Sequence, residues 1–367
     1  MSSANKQADN VTMSEGGSYS LATKGAKDVI DIATPRVLQA VEGISPLDDR
    51  VTIADMGCAD AGTSLDMIRS AIVHVQELNP QAQTTVVYAD QPANDFNALI
   101  GIVHGRTAAF DSWLGKIDNA YALASGASFY LQAVPDQTLD LVFSATAMHW
   151  LSSKPCNIDD HVHMVGASGD ALEQFSAQAK KDWENILMCR ARELKLGGKM
   201  VLINFCRDEQ GRYLGGTSGV NMFDNFNNNW LAFLQQERIS ADEYKAMTLP
   251  QYYHTVGQFS APLLDHSNPC YQAGLRLDDI ETRVVPCPFR VQYEKDGDVQ
   301  SFADGLIPTV RSWNQSIFKA GLSNDRSEAE RTQLIEDYYA TYHQQVMDDP
   351  VGHGMDYVHA YMTISRQ

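Results

Sequence analysis

A short apolar run, Val51-Thr-Ile-Ala-Asp-Met56, leads directly into the small-residue turn Gly57-Cys-Ala-Asp-Ala-Gly62 and then into a helical pattern over 64–77. A buried strand, a tight turn and a helix in immediate succession leave few architectures open. The pattern then repeats. A β-branched run over 84–90 predicts a second strand, ending in Asp90. Residues 94–104 read as a helix with Asn94 as its cap. Residues 139–144 read as a strand, and 171–194 as a long amphipathic helix stopped by Gly197-Gly198. A further strand is expected over 199–205. This alternation predicts an α/β fold, a doubly wound parallel sheet with helices on both faces.

From 207 to 268 the alternation stops, and Asn, Gln and aromatic residues dominate. That stretch reads as helix and loop. A late strand over 275–285, helices over 302–320 and 326–347, and a closing strand over 357–366 complete the reading. The expected organisation is a loose tail at 1–16, a cofactor-binding core at 17–206 and a helical cap at 207–272. The rest of the core sheet, with further cap helices, falls at 273–367.

The chain has 367 residues, with 28 Lys+Arg against 46 Asp+Glu and a formal charge of −18. Such a field repels phosphate backbones and anionic lipid surfaces, so neither nucleic acid nor a membrane is an expected partner. The N-terminus is polar and no apolar run is long enough to span a bilayer. The six cysteines form no C-x-x-C pair. They read as reduced thiols, and a cytoplasmic location is expected.

In a doubly wound fold, ligands bind at the carboxyl ends of strands. The turn here is not G-x-G-x-x-G, because positions 59 and 60 are Ala and Asp. An acid in this turn would repel a pyrophosphate. A cationic cofactor without phosphate fits better, and S-adenosylmethionine is one. Asp55 and Asp90, at successive strand ends, either hold such a cofactor or merely cap their turns.

Several segments in order resemble the SABATH family of S-adenosylmethionine-dependent methyltransferases. They are Gly17-Ser-Tyr19 with Thr23, Ile53-Ala-Asp-Met-Gly-Cys58, Ala89-Asp-Gln-Pro-Ala-Asn-Asp-Phe-Asn97, Ser128-Phe-Tyr130 and Ser144-Ala-Thr-Ala-Met-His-Trp-Leu-Ser152. The pattern over 178–202 and Leu249-Pro-Gln-Tyr-Tyr253 extend the likeness. The resemblance implies a Rossmann-like methyltransferase core with a mostly helical cap, and a homodimer. It implies cofactor contacts from Tyr19, Thr23, Asp55, Gly57, Cys58, Asp90, Gln91, Ser128, Phe129 and Ser144. It places His149 and Trp150 at the reacting acceptor. Ala26, Thr146, Met148, Phe226, Trp230 and Trp313, with Tyr19, are the further acceptor-side residues.

Two positions depart from the family pattern. The Gln and Tyr that face the acceptor in the family fall on Ala26 and Thr146. The expected activity is methyl-ester formation on a small acid. A nitrogen or phenol acceptor, with His149 as a base, is the alternative, and a non-catalytic binder ranks behind both. His149-Trp150 also reads as a core aromatic pair. Phe223, Phe226, Trp230 and Phe233 read either as a helix face in the core or as a lid. Cys156, Asp159, Asp160, His161 and His163 match no standard zinc spacing, and no metal is expected there.

Overall fold

The computed structural model describes residues 18–45 and 47–367, so the expected tail and Gly17 lie outside the described residues. In chain order the elements are α1 (Ser18–Ala22), α2 (Lys24–Glu42), β1 (Arg50–Met56), α3 (Leu65–Leu78), β2 (Gln83–Ala89), α4 (Phe96–Val103) and β3 (Ala120–Ser125). Next come β4 (Leu139–Ala145), α5 (Gly169–Glu193), β5 (Leu194–Arg207), α6 (Met222–Gln235), α7 (Ala241–Ala246) and β6 (His254–Thr255). The chain ends with α8 (Val256–Leu264), α9 (Pro269–Gln272), β7 (Leu275–Val285), α10 (Pro288–Asp296), α11 (Val299–Gly321), α12 (Glu328–Asp348) and β8 (Tyr357–Arg366).

One sheet holds the strands in the order β3-β2-β1-β4-β5-β8-β7, with β6 beside β5. The strands from β1 to β5 pair parallel. β4 is buried along its whole length, and β1 and β2 over their last four residues. Strands covered on both faces must be apolar throughout, which is why these segments read as continuous runs. One face packs Val29, Ala33 and Val37 of α2 and Ile68 and Ile72 of α3 on Ile53, Leu141 and Val201. The other packs Trp183, Ile186 and Leu187 of α5 and Phe259 of α8 on Val142, Leu202 and Met362. The chain runs outward from β1 through β2 to β3, then returns to β4 on the other side of β1. That reversal opens a crevice at the carboxyl ends of β1 and β4.

Above this crevice, α6, α7, α11 and α12 pack on one another. Their centre is aromatic: Trp230 stacks on Tyr338 at 4.3 Å between ring centroids, and Phe226 meets Phe318 edge-on at 6.0 Å. α8 and α9, although within 207–272, pack against α5 and β7 instead.

Local differences from the sequence reading have clear causes. The helix expected at 94 starts at Phe96, because the Asp95 carboxylate accepts the N–H groups of Asn97 and Ala98 and is the cap. Asn94 instead donates to the Ala59 carbonyl at 2.8 Å. Gly197-Gly198 does not stop α5, which ends at Glu193 and passes straight into β5. Gly197 is needed for another reason. Its φ is +82°, and a Cβ there would lie 2.1 Å from the Ser45 carbonyl oxygen. β8 runs antiparallel to both β5 and β7, so the sheet is mixed rather than wholly parallel. The expected elements do not include α1, α2, β3 or α10. β3 is an edge strand without clean alternation, and α2 is rich in Ala and charged residues. Among the described residues no helix is long and apolar enough to cross a membrane.

Candidate active site

The crevice is a cleft of about 1200 Å³ up to its mouth. Its floor is the turn after β1. Gly57 sits at φ +75°, where a Cβ would come within 2.5 Å of the Ala147 Cβ, so only glycine lets the two strand ends approach. Ala59 and Ala61 also hold positive φ, a conformation that side chains other than Gly, Asn and Asp rarely adopt. The Ala59 strain is held by Asp90, whose Oδ2 accepts the Ala59 N–H at 2.8 Å. The other oxygen of Asp90 accepts the Gln91 N–H at 2.7 Å. Each oxygen keeps a second lone pair for a hydroxyl donor.

Asp55 is buried, and the Ser64 hydroxyl donates to it at 2.6 Å. Burial pushes its carboxyl up to about 7, against the pull of that hydrogen bond and with a further push from Asp90. Asp60 ties α1 to the turn by accepting the Ser20 N–H at 3.1 Å and the Ser20 hydroxyl. The acid that departs from a phosphate-binding turn is thus an anchor for α1. Asp55, Asp60 and Asp90 all line the cleft, with no Lys or Arg among the described lining residues. Cys58, Gln91, Ser128 and Phe129 line it too.

The wall at 128–133 rests on a pair that the sequence reading did not single out. Arg190 and Glu193, both fully buried, pair at one turn's spacing. The Arg190 guanidinium donates to the Phe129 carbonyl at 2.9 Å and the Leu131 carbonyl at 2.8 Å. Glu193 accepts the Ala133 N–H. Nothing in an Arg-x-x-Glu spacing distinguishes this pair from an ordinary exposed one.

A second cavity of about 420 Å³ adjoins the cleft, and Tyr19, Thr146 and Trp150 line both. Thr146 holds φ +55°, a strained state for a β-branched residue, at the junction of the two spaces. Ala26, Thr23, His149 and Trp313 line the second cavity, together with Phe205, Leu214, Gln251, Met355 and Tyr357. Burial pushes the Tyr19 hydroxyl up to about 12, with Asp60 adding to the shift. His149 lies edge-on to Phe205 at 4.7 Å, and its Nδ1 is buried without a partner. Burial alone pulls its pKa down to about 3.

The structure therefore gathers most of the residues picked from sequence and moves five elsewhere. Thr23 faces the second cavity rather than the cleft. Ser144 lines neither, because its hydroxyl points back to donate to the Met56 carbonyl at 2.8 Å and clips β4 to β1. Met148 packs among the α5-side core residues. Phe226 and Trp230 are fully buried in the cap's aromatic centre and line neither space, so of the two readings of that helix face the packed one describes them. The 156–163 loop is held by other contacts. His161 Nδ1 lies 2.8 Å from the His163 carbonyl oxygen, and Asp159 pairs with Lys245. Among the described residues no group of His, Cys, Asp and Glu is placed to hold a metal ion.

An acid-lined cleft at the switch point of a doubly wound sheet defines a binding site for a cationic, hydroxyl-bearing cofactor. The strand order, with β8 alone running antiparallel between β5 and β7, is that of a methyltransferase-type core. The chain belongs to the SAM dependent carboxyl methyltransferase family, whose model matches residues 9–325. It is 24% identical over 226 residues to indole-3-acetate O-methyltransferase 1 of Arabidopsis thaliana, covering 57% of this chain and 58% of that protein. It is 27% identical over 340 residues to salicylate carboxymethyltransferase of Clarkia breweri, covering 89% and 88%. The fold matches the solved structure of loganic acid methyltransferase with SAH at a TM-score of 0.73, over 97% of this chain and 98% of that one, at 19% identity.

S-adenosylmethionine is the methyl donor of the family, and the cleft fits it. Three acids suit its sulfonium and ammonium, and Asp90 keeps lone pairs for ribose hydroxyls. A pH dependence follows from Asp55. With its pKa near 7 in the free protein, it is largely protonated at pH 6. A bound cation favours the ionised form, so binding below that pKa releases a proton. Affinity for S-adenosylmethionine should tighten as pH rises through 7. Calorimetric titration at several pH values in buffers of different ionisation heat measures this, and a flat affinity from pH 6 to 8 would remove Asp55 from the cation's surroundings.

Proposed function

We propose that this chain transfers a methyl group to the carboxylate oxygen of a small acid with an apolar body, forming a methyl ester. One observation carries the reading: among the described residues, the second cavity contains hydrogen-bond donors but no effective base. Its titratable side chains are Tyr19, His149 and Tyr357. Burial holds the His149 pKa down at about 3 and pushes both tyrosines up. A base that weak does not take a proton from a phenol of pKa ~10 or from an ammonium. A carboxylic acid of pKa ~4–5 arrives already ionised and needs no base.

Bound S-adenosylmethionine supplies an electrophilic methyl carbon on its sulfonium. The chain's own part is alignment and dryness. Trp150 lies between the two spaces and offers one N–H to orient a carboxylate oxygen. Phe205, Leu214, Trp313 and Met355 exclude water around the acceptor's body. Tyr19, held on α1 by Asp60's grip on Ser20, closes the junction. The proposal includes a cytoplasmic location, supported by six unpaired thiols, and a homodimer, supported by the likeness to the family.

The test is a pH–rate profile. With an acid acceptor and saturating cofactor, kcat should stay level between pH 6 and 8, because His149 remains neutral throughout. An inflection near the ordinary histidine value of ~6.5, abolished by His149→Asn, would give His149 a proton-transfer role and overturn the reading.

A further inference from the structure

Trp150 alone offers one N–H, and a carboxylate has two oxygens to hold. The N-terminal wall at Ala26 is apolar, so any second donor has to come from elsewhere in the second cavity. Gln251 is 1% exposed and lines that cavity. Its Nε2 is buried with no hydrogen-bond partner among the described residues. A buried amide group left unpaired is costly, and native structures rarely keep one without a use.

The backbone puts this amide beside the indole. Residues 149–151 and 250–252 pair antiparallel, with the Tyr252 N–H on the His149 carbonyl at 2.9 Å and the Leu151 N–H on the Pro250 carbonyl at 2.8 Å. Trp150 and Gln251 are direct partners in that bridge. Direct cross-strand partners carry their side chains on the same face, with Cβ atoms ~5 Å apart.

The orientation of the amide is also fixed. His163 Nδ1 accepts the Val165 N–H at 3.3 Å, so the ring of a neutral His163 carries its proton on Nε2. That Nε2–H donates to Gln251 Oε1 at 3.2 Å. The Tyr253 hydroxyl donates to the same oxygen, also at 3.2 Å. The His163 ring is itself clamped, stacked on Phe223 at 3.8 Å. Two donors on the oxygen side leave the nitrogen side, with its two N–H groups, for the cavity.

We propose that Gln251 is the second carboxylate-binding residue, its Nε2 taking one acceptor oxygen while the Trp150 indole takes the other. His163 and Tyr253 are positioning residues that hold the amide's direction. The inference rests on the carboxylate reading above. It adds a limit on specificity: among the described residues no Lys or Arg lines this cavity, so two neutral donors serve one carboxylate and a dicarboxylic acid leaves its second charge unpaired.

The test uses the full chain with two variants of similar volume, Gln251→Met and Gln251→Glu. Affinity for S-adenosylhomocysteine reports folding and an intact cleft, and should stay within about twofold of the unsubstituted protein in both. KM for the acid should rise roughly 10–100-fold with Met, the loss of one hydrogen bond to a charged group. It should rise at least as far with Glu, which keeps an oxygen for His163 and Tyr253 but turns a carboxylate toward the substrate. If the Met variant loses S-adenosylhomocysteine binding, the Glu variant decides in the same way. A variant that binds S-adenosylhomocysteine and keeps KM for the acid within about twofold overturns the assignment of Gln251 alone. An unsubstituted protein that binds S-adenosylhomocysteine yet esterifies no acid overturns the carboxylate reading, and this inference with it.

Discussion

Replacing Trp150 with Ala should lower kcat/KM for the acid acceptor by ~100-fold or more while S-adenosylhomocysteine affinity changes by no more than about threefold. The indole lies where the cleft and the acceptor cavity meet, 8% exposed, with the His149 ring at 5.2 Å. Its removal takes away a donor and also merges the two spaces, so water enters and the acceptor loses its alignment. Misplacement of a nucleophile by about 1 Å is enough for a loss of that size. The cleft should keep its form because its lining residues Asp55, Asp90, Ser128 and Phe129 are held by β1, β2, α3 and the propped 128–133 wall. Steady-state kinetics with parallel calorimetry separate the two quantities. Unchanged turnover would place the acceptor elsewhere, and a matched loss of cofactor affinity would make Trp150 part of the cleft's frame instead.

The second large effect concerns Arg190. Substitution to Met strands the Glu193 carboxylate in a fully buried position and frees the Phe129 and Leu131 carbonyls. Breaking a buried pair from one side costs about 3–5 kcal/mol, so Tm of a chain this long should fall by ~4–6 °C. Adding Glu193→Met to that variant should restore part of the stability, because the uncompensated charge is gone. Cofactor affinity should stay weak in the double variant, since the wall at 128–133 still lacks its support. Melting curves with and without S-adenosylhomocysteine report both. An Arg190→Met protein that melts normally would show that the pair contributes no net stability, and full affinity in the double variant would show that the wall holds without it.

These two residues also mark how far the sequence could be read. The cofactor side was legible because it is local: one strand, one turn and the end of the next strand place Asp55, Gly57 and Asp90 within forty residues. The acceptor side is assembled from distant segments. Tyr19, Trp150, Gln251, Trp313 and Tyr357 meet only because the cap folds back and β8 inserts antiparallel between β5 and β7. No local periodicity carries that information. Phe226 and Trp230 show the same limit in reverse. Their helical spacing is visible, but whether that face meets a ligand or α11 and α12 depends on partners about ninety to a hundred and ten residues away. Ser144 shows a subtler limit. A motif gives a residue's place in the chain, while the hydroxyl's direction is set by the neighbouring strand's carbonyl. Arg190 and Glu193 carry no sequence sign of burial at all, because an Arg-x-x-Glu pair reads the same on a wet helix face.

The acceptor atom decides between ester formation and the alternatives. The most direct measurement is transfer of a labelled methyl group from S-adenosylmethionine to a panel of small carboxylic acids, phenols and amines, followed by mild alkali on each product. The account expects label in the apolar monocarboxylic acids and its release by base, the mark of a methyl ester. Label confined to phenols or amines and stable to base would contradict it, and would require a base stronger than the buried His149 provides.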